Sequence, residues 1–315
     1  MSNRLNSLHQ NKSSTHANSS SNHGLAVFGL LFGAMCWGII WFPYRLMSDA
    51  GVSGVASSFY TYSIAILIAG TYFVRHWRGI FSLPRSIVWL AMIAGWTNIA
   101  YVLAVIDGEV MRVMLLFYLS PLWTLILAHY WLKERTNVRG VIIIAISLLG
   151  AFIMLYDFSN QTGDWQNYLP IPKTKSDWLA LSAGVGFSLT NVITRQATHL
   201  SVRAKSFAVW FGVLAMALIF LPFLKNGLPS PSFFSLTHWA IMGIIALLII
   251  AATVFVQYGV TQITATRASV LFLFELVVAA IASYYLAHEV MRWNEWLGGS
   301  FIVAAAVFSA SNHQH

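Results

Sequence analysis

Charge is what this chain lacks. Only 9% of its 315 residues are charged, and acids are the scarcer sign, with ten Asp and Glu against 18 Lys and Arg. A soluble domain carries roughly 25% charged residues, so a soluble fold is excluded. Cysteine is nearly missing as well. Cys36 stands alone, which rules out an internal disulfide, and its apolar setting reads as a buried, inert thiol. The spaced signatures of enzyme chemistry are absent: no phosphate-binding glycine loop, no His-Glu-x-x-His zinc spacing, no Gly-x-Ser-x-Gly elbow. No catalytic residue, metal or cofactor is expected, and a nucleotide-driven pump is not expected either. The net charge of +8 does not point to nucleic acid, because the basic residues form no run and no binding motif is present.

Apolar residues fill the space that charge leaves. They make up 58% of the chain, and aromatics 15%, with 13 Trp, which fits interfacial belts and an aromatic-lined interior. A membrane span needs about 20 mostly apolar residues. Ten stretches qualify: 25–47, 54–74, 86–106, 111–131, 138–156, 177–195, 204–224, 237–260, 267–287 and 295–311. Residues 1–23 are rich in Ser, Asn and His and too polar to fold alone, so they read as a disordered tail. They lack the layout of a signal peptide. His9, His16 and His23 recur every seven residues but have no apolar heptad around them, so a solvated tail is preferred to a metal site. Residues 157–176 join two halves, and 312–315 form a C-terminal tail.

Ten spans place both termini on one side. If that side is the cytoplasm, twelve Lys and Arg lie inside and six outside. This bias favours a multi-pass protein with both termini cytoplasmic.

The second half repeats the first. Arg112 to Glu134 matches Arg267 to Glu289 at an offset of 155, with identities at Arg112/Arg267, Leu116/Leu271, Phe117/Phe272, Ile126/Ile281, Tyr130/Tyr285 and Glu134/Glu289. Leu31 to Met47 matches Leu181 to Ala197 at an offset of 150, placing Trp37 on Phe187 and Arg45 on Arg195. Five spans per half is an odd number, so the halves must be inverted. The expected fold is therefore all-α and integral to the membrane, with ten transmembrane helices as two inverted five-helix repeats, 24–156 and 177–311. That is a common build of secondary transporters, with substrate handled where the halves meet.

Particular residues carry a family pattern. Span four reads Leu119-Ser120-Pro121, then Lys133-Glu134-Arg135, with Gly140 opening span five; span nine reads Phe274-Glu275-Leu276, closing at His288-Glu289, with Gly298 and Gly299 beyond. The pattern resembles the EamA-type branch of the drug/metabolite transporter superfamily over nearly the whole chain from residue 24. The resemblance implies carriage of a small metabolite, often its export, across a bacterial inner membrane. The family usually has a proline after the span-nine Glu; Leu276 stands there instead, and a straight span nine is expected.

Glu275 is the one carboxylate well inside an expected span. A charge at mid-membrane costs about 2.5–3.5 kcal/mol on insertion scales, so Glu275 must face a cavity or a partner, or carry a proton. It is the candidate coupling residue; the alternative is a structural hydrogen bond. Trp37, Trp41 and Tyr44 share a helix face at i, i+4, i+7. Phe187, Asn191 and Arg195 occupy the near-equivalent face of span six. Tyr118, Leu122, Leu125 and His129 share a face of span four. Candidate substrate contacts are Trp37, Trp41, Asn98, Tyr118, Phe187, Asn191, Gln257 and Tyr258, each weighed against plain packing or interhelical hydrogen bonding. Asp107, Glu109 and Arg112 cluster in one outer link, as a gate or as a solvated ion pair worth under about 1 kcal/mol. Gly29 and Gly33 read as a close-packing pair.

These features point to a carrier for a small amphipathic metabolite such as an amino acid, embedded in the lipid bilayer, of undetermined oligomeric state. A membrane enzyme acting on lipid would need a cluster of His or acids at one depth, and only Glu275 and His129 are candidates. A sensor or scaffold would be expected to carry a sizeable soluble domain, and the longest loop has only about 20 residues.

Overall fold

The computed structural model describes residues 2–76, 84–108, 110–156, 172–224, 227–286 and 291–311, with side chains from His23 onward except at 71–76, 106–107, 110–112 and 311. Every regular element among them is helical: α1 Ser2–Asp49, α2 Gly54–His76, α3 Arg85–Asp107, α4 Val110–Phe117, α5 Ser120–Leu127, α6 Val138–Leu155, α7 Lys175–Gln196, α8 Val202–Phe220, α9 Leu236–Gln262, α10 Ala265–Phe272, α11 Phe274–Leu286 and α12 Trp293–Ser311. A π turn, Ala128–Leu132, extends α5. Lipid offers the backbone no hydrogen-bond partner, and a helix satisfies its own. Seven stretches are long and apolar enough to cross a bilayer, in α1, α3, α4–α5, α6, α8, α9 and α10–α11; α2 adds a shorter apolar helix, Gly54–Gly70. The chain is a multi-pass membrane protein.

Sequence chemistry sets several of the helix starts. The Asn137 side chain accepts from the Gly140 amide to begin α6, Thr174 and Asp177 form a capping box at α7, and Ser235 pairs with His238 at α9. Such caps satisfy amides that have no partner inside the helix. The leader differs from expectation, since α1 is continuous from Ser2. A helix is costly to nucleate but cheap to extend, and the apolar run from Leu25 supplies the nucleus.

The main packing joins the first half of the chain to the second. Helix α1 lies along α9 and α11, α3 along α7 and α8, α2 along α8 and α9, α4 and α5 along α7, and α6 along α12. Small residues allow these approaches. Gly29 and Gly33, the expected close-packing pair, lie against Phe255 and Val256 of α9. Gly150 of α6 and Gly298 of α12 meet reciprocally: a Cβ on Gly150 would fall 2.7 Å from the Gly298 carbonyl oxygen, and one on Gly298 would fall against the Gly150 carbonyl. Beside them Asn294 Nδ2 donates to the carbonyls of Ile153, Met154 and Tyr156 at 3.0–3.3 Å, closing the end of α6.

Two apolar stretches are interrupted halfway. Between α4 and α5 the break falls at Tyr118 and Leu119, and Pro121 lies in the first turn of α5. Between α10 and α11 it falls at Leu273, where the Leu273 amide reaches the Val270 carbonyl and the Leu276 amide reaches the Leu273 carbonyl, each at 3.1 Å. These i to i−3 bonds tighten the chain into a 3₁₀ turn. The straight span nine expected from the missing proline is therefore not what forms. The turn is held by its neighbour: Gly38 of α1 packs against the Glu275 carbonyl and Val278, where a Cβ would sit 2.8 Å from each.

Candidate functional site

The two breaks flank an aromatic cluster. Phe187 of α7 is its centre, with ring centroids 6.1 Å from Trp37 of α1, 5.2 Å from Phe272 of α10 and 5.7 Å from Phe117 of α4. Trp37 also meets Phe272 at 5.7 Å. The four rings are two repeat-related pairs, Trp37 with Phe187 and Phe117 with Phe272. Tyr101 of α3 extends the cluster at 4.9 Å from Phe117, and Tyr118 lies 5.3 Å from Phe117.

Glu275 stands in the first turn of α11, half-buried, immediately after the second break. The phenols of Tyr118 and Tyr101 lie close enough to its carboxyl to interact with it electrostatically. The site thus joins one acid, two phenols and the faces of four further rings, drawn from both halves. Flat apolar groups stack on such faces, and the phenols and carboxyl offer polar ends to orient a ligand. Next to it, α3, α5 and α7 carry buried polar atoms without a protein hydrogen bond: Asn98 Oδ1, Trp123 Nε1, Thr124 Oγ1, Thr190 Oγ1 and Asn191 Nδ2. Such atoms are costly to bury unpaired.

Trp37, Tyr118, Phe187 and Glu275 are therefore brought together. The other expected residues are distributed differently. Trp41 meets its neighbour Phe42 edge to face at 5.7 Å. The Tyr44 hydroxyl shares a 3.1 Å hydrogen bond with Thr61 of α2, so the Trp37–Trp41–Tyr44 stripe divides between two environments. Gln257 is buried and accepts from Thr194 at 3.0 Å, joining α9 to α7. The exception is Tyr258, which stays with the rings, packed against the apolar cluster that contains Phe272 and that Trp37 and Phe187 also pack against. The expected face of span four does not hold together, because Tyr118 is buried while Leu122 and His129 are exposed; the chain resets at Leu119 and widens in the π turn, which breaks the i, i+4 register. The candidate gate lies outside the described residues, since Glu109 and the side chains of Asp107 and Arg112 are not described.

Arg195 turns away from the rings. Its Nε pairs with Glu134 Oε1 at 3.1 Å, and Nη1 donates to the Thr261 carbonyl. Beside it Lys205, fully buried, donates to the Thr194 carbonyl at 3.0 Å and Thr261 Oγ1 at 2.7 Å. Sequence reasoning missed Tyr101, Phe117 and Phe272 in the ring cluster, and Lys205 and Thr261 in this network. One signal was available, the identity of Phe117 with Phe272 across the repeat. Finally, a cleft of about 340 Å³ between α4 and α6 is lined by apolar groups including Leu115, Leu148 and Phe152, with Tyr118 on its wall.

The comparisons with known proteins agree with a duplicated membrane architecture. A search of curated proteins found none that matches. A solved crystal structure aligns with a TM-score of 0.71 at 18% identity, over 91% of this chain and 96% of that one, which shows a shared fold. The family model described as the EamA-like transporter family matches twice, at residues 24–156 and again at 174–311. One family model thus matches both halves and accounts for the repeat between them. The chain belongs to the EamA-like transporter family, a family of membrane transporters.

Proposed function

We propose that this protein is a secondary carrier that exports a small amphipathic metabolite, such as an amino acid, across a bacterial inner membrane by alternating access. The observation that carries the reading is the meeting of rings from both halves beside Glu275, between two interrupted helices. Interrupted helices at a repeat interface are a usual place for transporter substrate sites. In this reading the rings hold the apolar part of the substrate, Tyr101 and Tyr118 orient it, and Glu275 carries the coupling proton.

The proposal includes ten spans arranged as two inverted halves. The packing supports it. Exchanging α1 with α7, α2 with α8, α3 with α9, α4–α5 with α10–α11 and α6 with α12 turns the α1/α9 contact into α7/α3, α2/α9 into α8/α3, and α1/α11 into α7/α5, all of which occur. The α2/α8 and α6/α12 contacts map onto themselves.

The test is uptake into proteoliposomes across a panel of amino acids, with and without a pH gradient. Saturable uptake of one class, stimulated by the gradient and lost in Phe187→Ala, supports the proposal. Uptake insensitive to the gradient removes the coupling role of Glu275, and no uptake of any amino acid removes the substrate class.

A further inference from the structure

Glu134 belongs neither to the ring cluster nor to the outer link that the sequence pointed to as a gate. It follows the π turn at the end of α5. There Lys133 takes a left-handed φ of 56°, and the Glu134 amide bonds back to the Ala128 carbonyl at 3.1 Å. A non-glycine residue in that region costs about 1–2 kcal/mol, and π turns occur often at functional sites. The result of this local strain is to aim the Glu134 carboxylate across the seam between the halves.

Each carboxylate oxygen then has a partner in the second half. Oε1 accepts from Arg195 Nε at the end of α7, and Oε2 accepts from the Ala265 amide, the first residue of α10, each at 3.1 Å. Arg195 passes the connection to the end of α9 through the Thr261 carbonyl, and Lys205 braces the same residue from α8. One side chain of the first half therefore holds the ends of three helices of the second. The apolar contact beneath is small, built on Ala128, Val192 and Ala265. One more bond crosses nearby, from Trp131 Nε1 to Gln196 at 3.1 Å. The pair is largely shielded from solvent, at 26% side-chain exposure for Arg195 and 17% for Glu134. A shielded pair is far more sensitive to loss of one partner than an open one.

We propose that Glu134 is the latch of the carrier: its carboxylate holds this end of the bundle shut and releases Arg195 and the Ala265 amide each time that end opens. The inference rests on the alternating-access reading. Opening this end separates the close of α5 from α7 and α10, and the Glu134 bonds lie across that line.

The experiment reads access to the interior, not transport. Thr190 lies on α7 five residues before Arg195, roughly 7.5 Å deeper at 1.5 Å per residue. Thr190→Cys is introduced in a Cys36→Ala background, which removes the chain's own cysteine. Its reaction with a small aqueous maleimide is timed in right-side-out and inverted vesicles. Glu134→Gln and Arg195→Gln should each speed labelling several-fold in one vesicle orientation only, and the double variant should be no faster than either, because both break one interaction. Unchanged labelling in both orientations overturns the proposal. A second measurement covers loss of folded Glu134→Gln protein. Glu134→Cys with Arg195→Cys, joined by a short bis-maleimide, should keep Thr190→Cys unlabelled in both orientations yet free to label once the protein is denatured, and should abolish any transport; free labelling of the folded protein after cross-linking overturns the latch. Because labelling needs no transported substrate, failure of the uptake screen and failure of the latch are separate results.

Discussion

The Ser188 hydroxyl donates to the backbone carbonyl of Ser120 at 2.8 Å, across the seam and next to the break in span four. The repeat places Gly38 at the position of Ser188 and Glu275 at that of Ser120. There the same carbonyl, now of Glu275, faces the bare α-carbon of Gly38. The two halves solve one backbone problem differently. A hydroxyl satisfies the carbonyl in one, and in the other the neighbour simply stays small.

Gly38 should therefore tolerate no side chain. In Gly38→Ala the new Cβ meets the Glu275 carbonyl oxygen and Val278 Cβ, each at 2.8 Å, and neither is a flexible tip. Overpacking of this kind costs about 1–3 kcal/mol. Gly243→Ala on α9 is the control, since nothing lies within 4 Å of its added Cβ. Thermal unfolding in detergent should show Gly38→Ala clearly destabilised and Gly243→Ala neutral or better. Equal effects would mean that the α1–α11 approach is looser than described.

Glu275→Gln keeps the size and hydrogen bonding of the side chain but cannot titrate. Folded yield should stay near normal while transport falls or loses its dependence on pH across roughly pH 5–8. Tyr118→Phe keeps the ring and removes the hydroxyl that lies close to the Glu275 carboxyl. It should alter transport in the same direction, and the double variant should add little. A Glu275→Gln protein with unchanged transport at every pH assigns Glu275 to structure alone.

Phe187 touches rings from α1, α4 and α10. Phe187→Leu retains much of the volume and loses the flat face. A folded protein with apparent KM raised tenfold or more, about 1–3 kcal/mol of lost contact, is the expected outcome in uptake assays. A drop in stability with KM unchanged would make the cluster mere packing.

The membrane character, the repeat and the candidacy of Trp37, Tyr118, Phe187 and Glu275, which the fold brings together, were readable from residue type and spacing. Phe117 and Phe272 were visible as an identity but not as a site, because a ring within an apolar run looks the same whether it faces lipid or a neighbouring ring. Trp41 and His129 lie apart from the ring cluster for a different reason. Helix-face arithmetic assumes an unbroken helix with consistent surroundings, and Pro43 lies inside α1 while a reset and a π turn separate Tyr118 from His129. The break at Leu273 left no proline to announce it, and the small residue packed beside it, Gly38, belongs to another helix. The Lys205 network joins residues from α7, α8 and α9, which no local pattern connects.

Topology offers an independent check of the inverted arrangement. Reporter fusions at Trp165 should read outside, and those at Ile80, Arg135 and His315 inside, as the twelve-to-six distribution of basic residues requires. A C-terminal reporter on the outer face would break the argument from odd span number to inversion.

The reciprocal meeting of Gly150 and Gly298 bears on how such a chain came to be built. It is part of the α6–α12 contact, which maps onto itself when the halves are exchanged, and such a contact is the mark of an isologous surface, the kind by which a subunit recognises its own copy. Each half thus carries one side of a self-complementary seam. Co-expressed as separate chains cut within 157–171, the halves should find each other through α6 and α12. A tandem protein of this design is physically equivalent to a homodimer whose subunits were joined end to end and then free to diverge, which is how Ser120 in one half can correspond to Glu275 in the other.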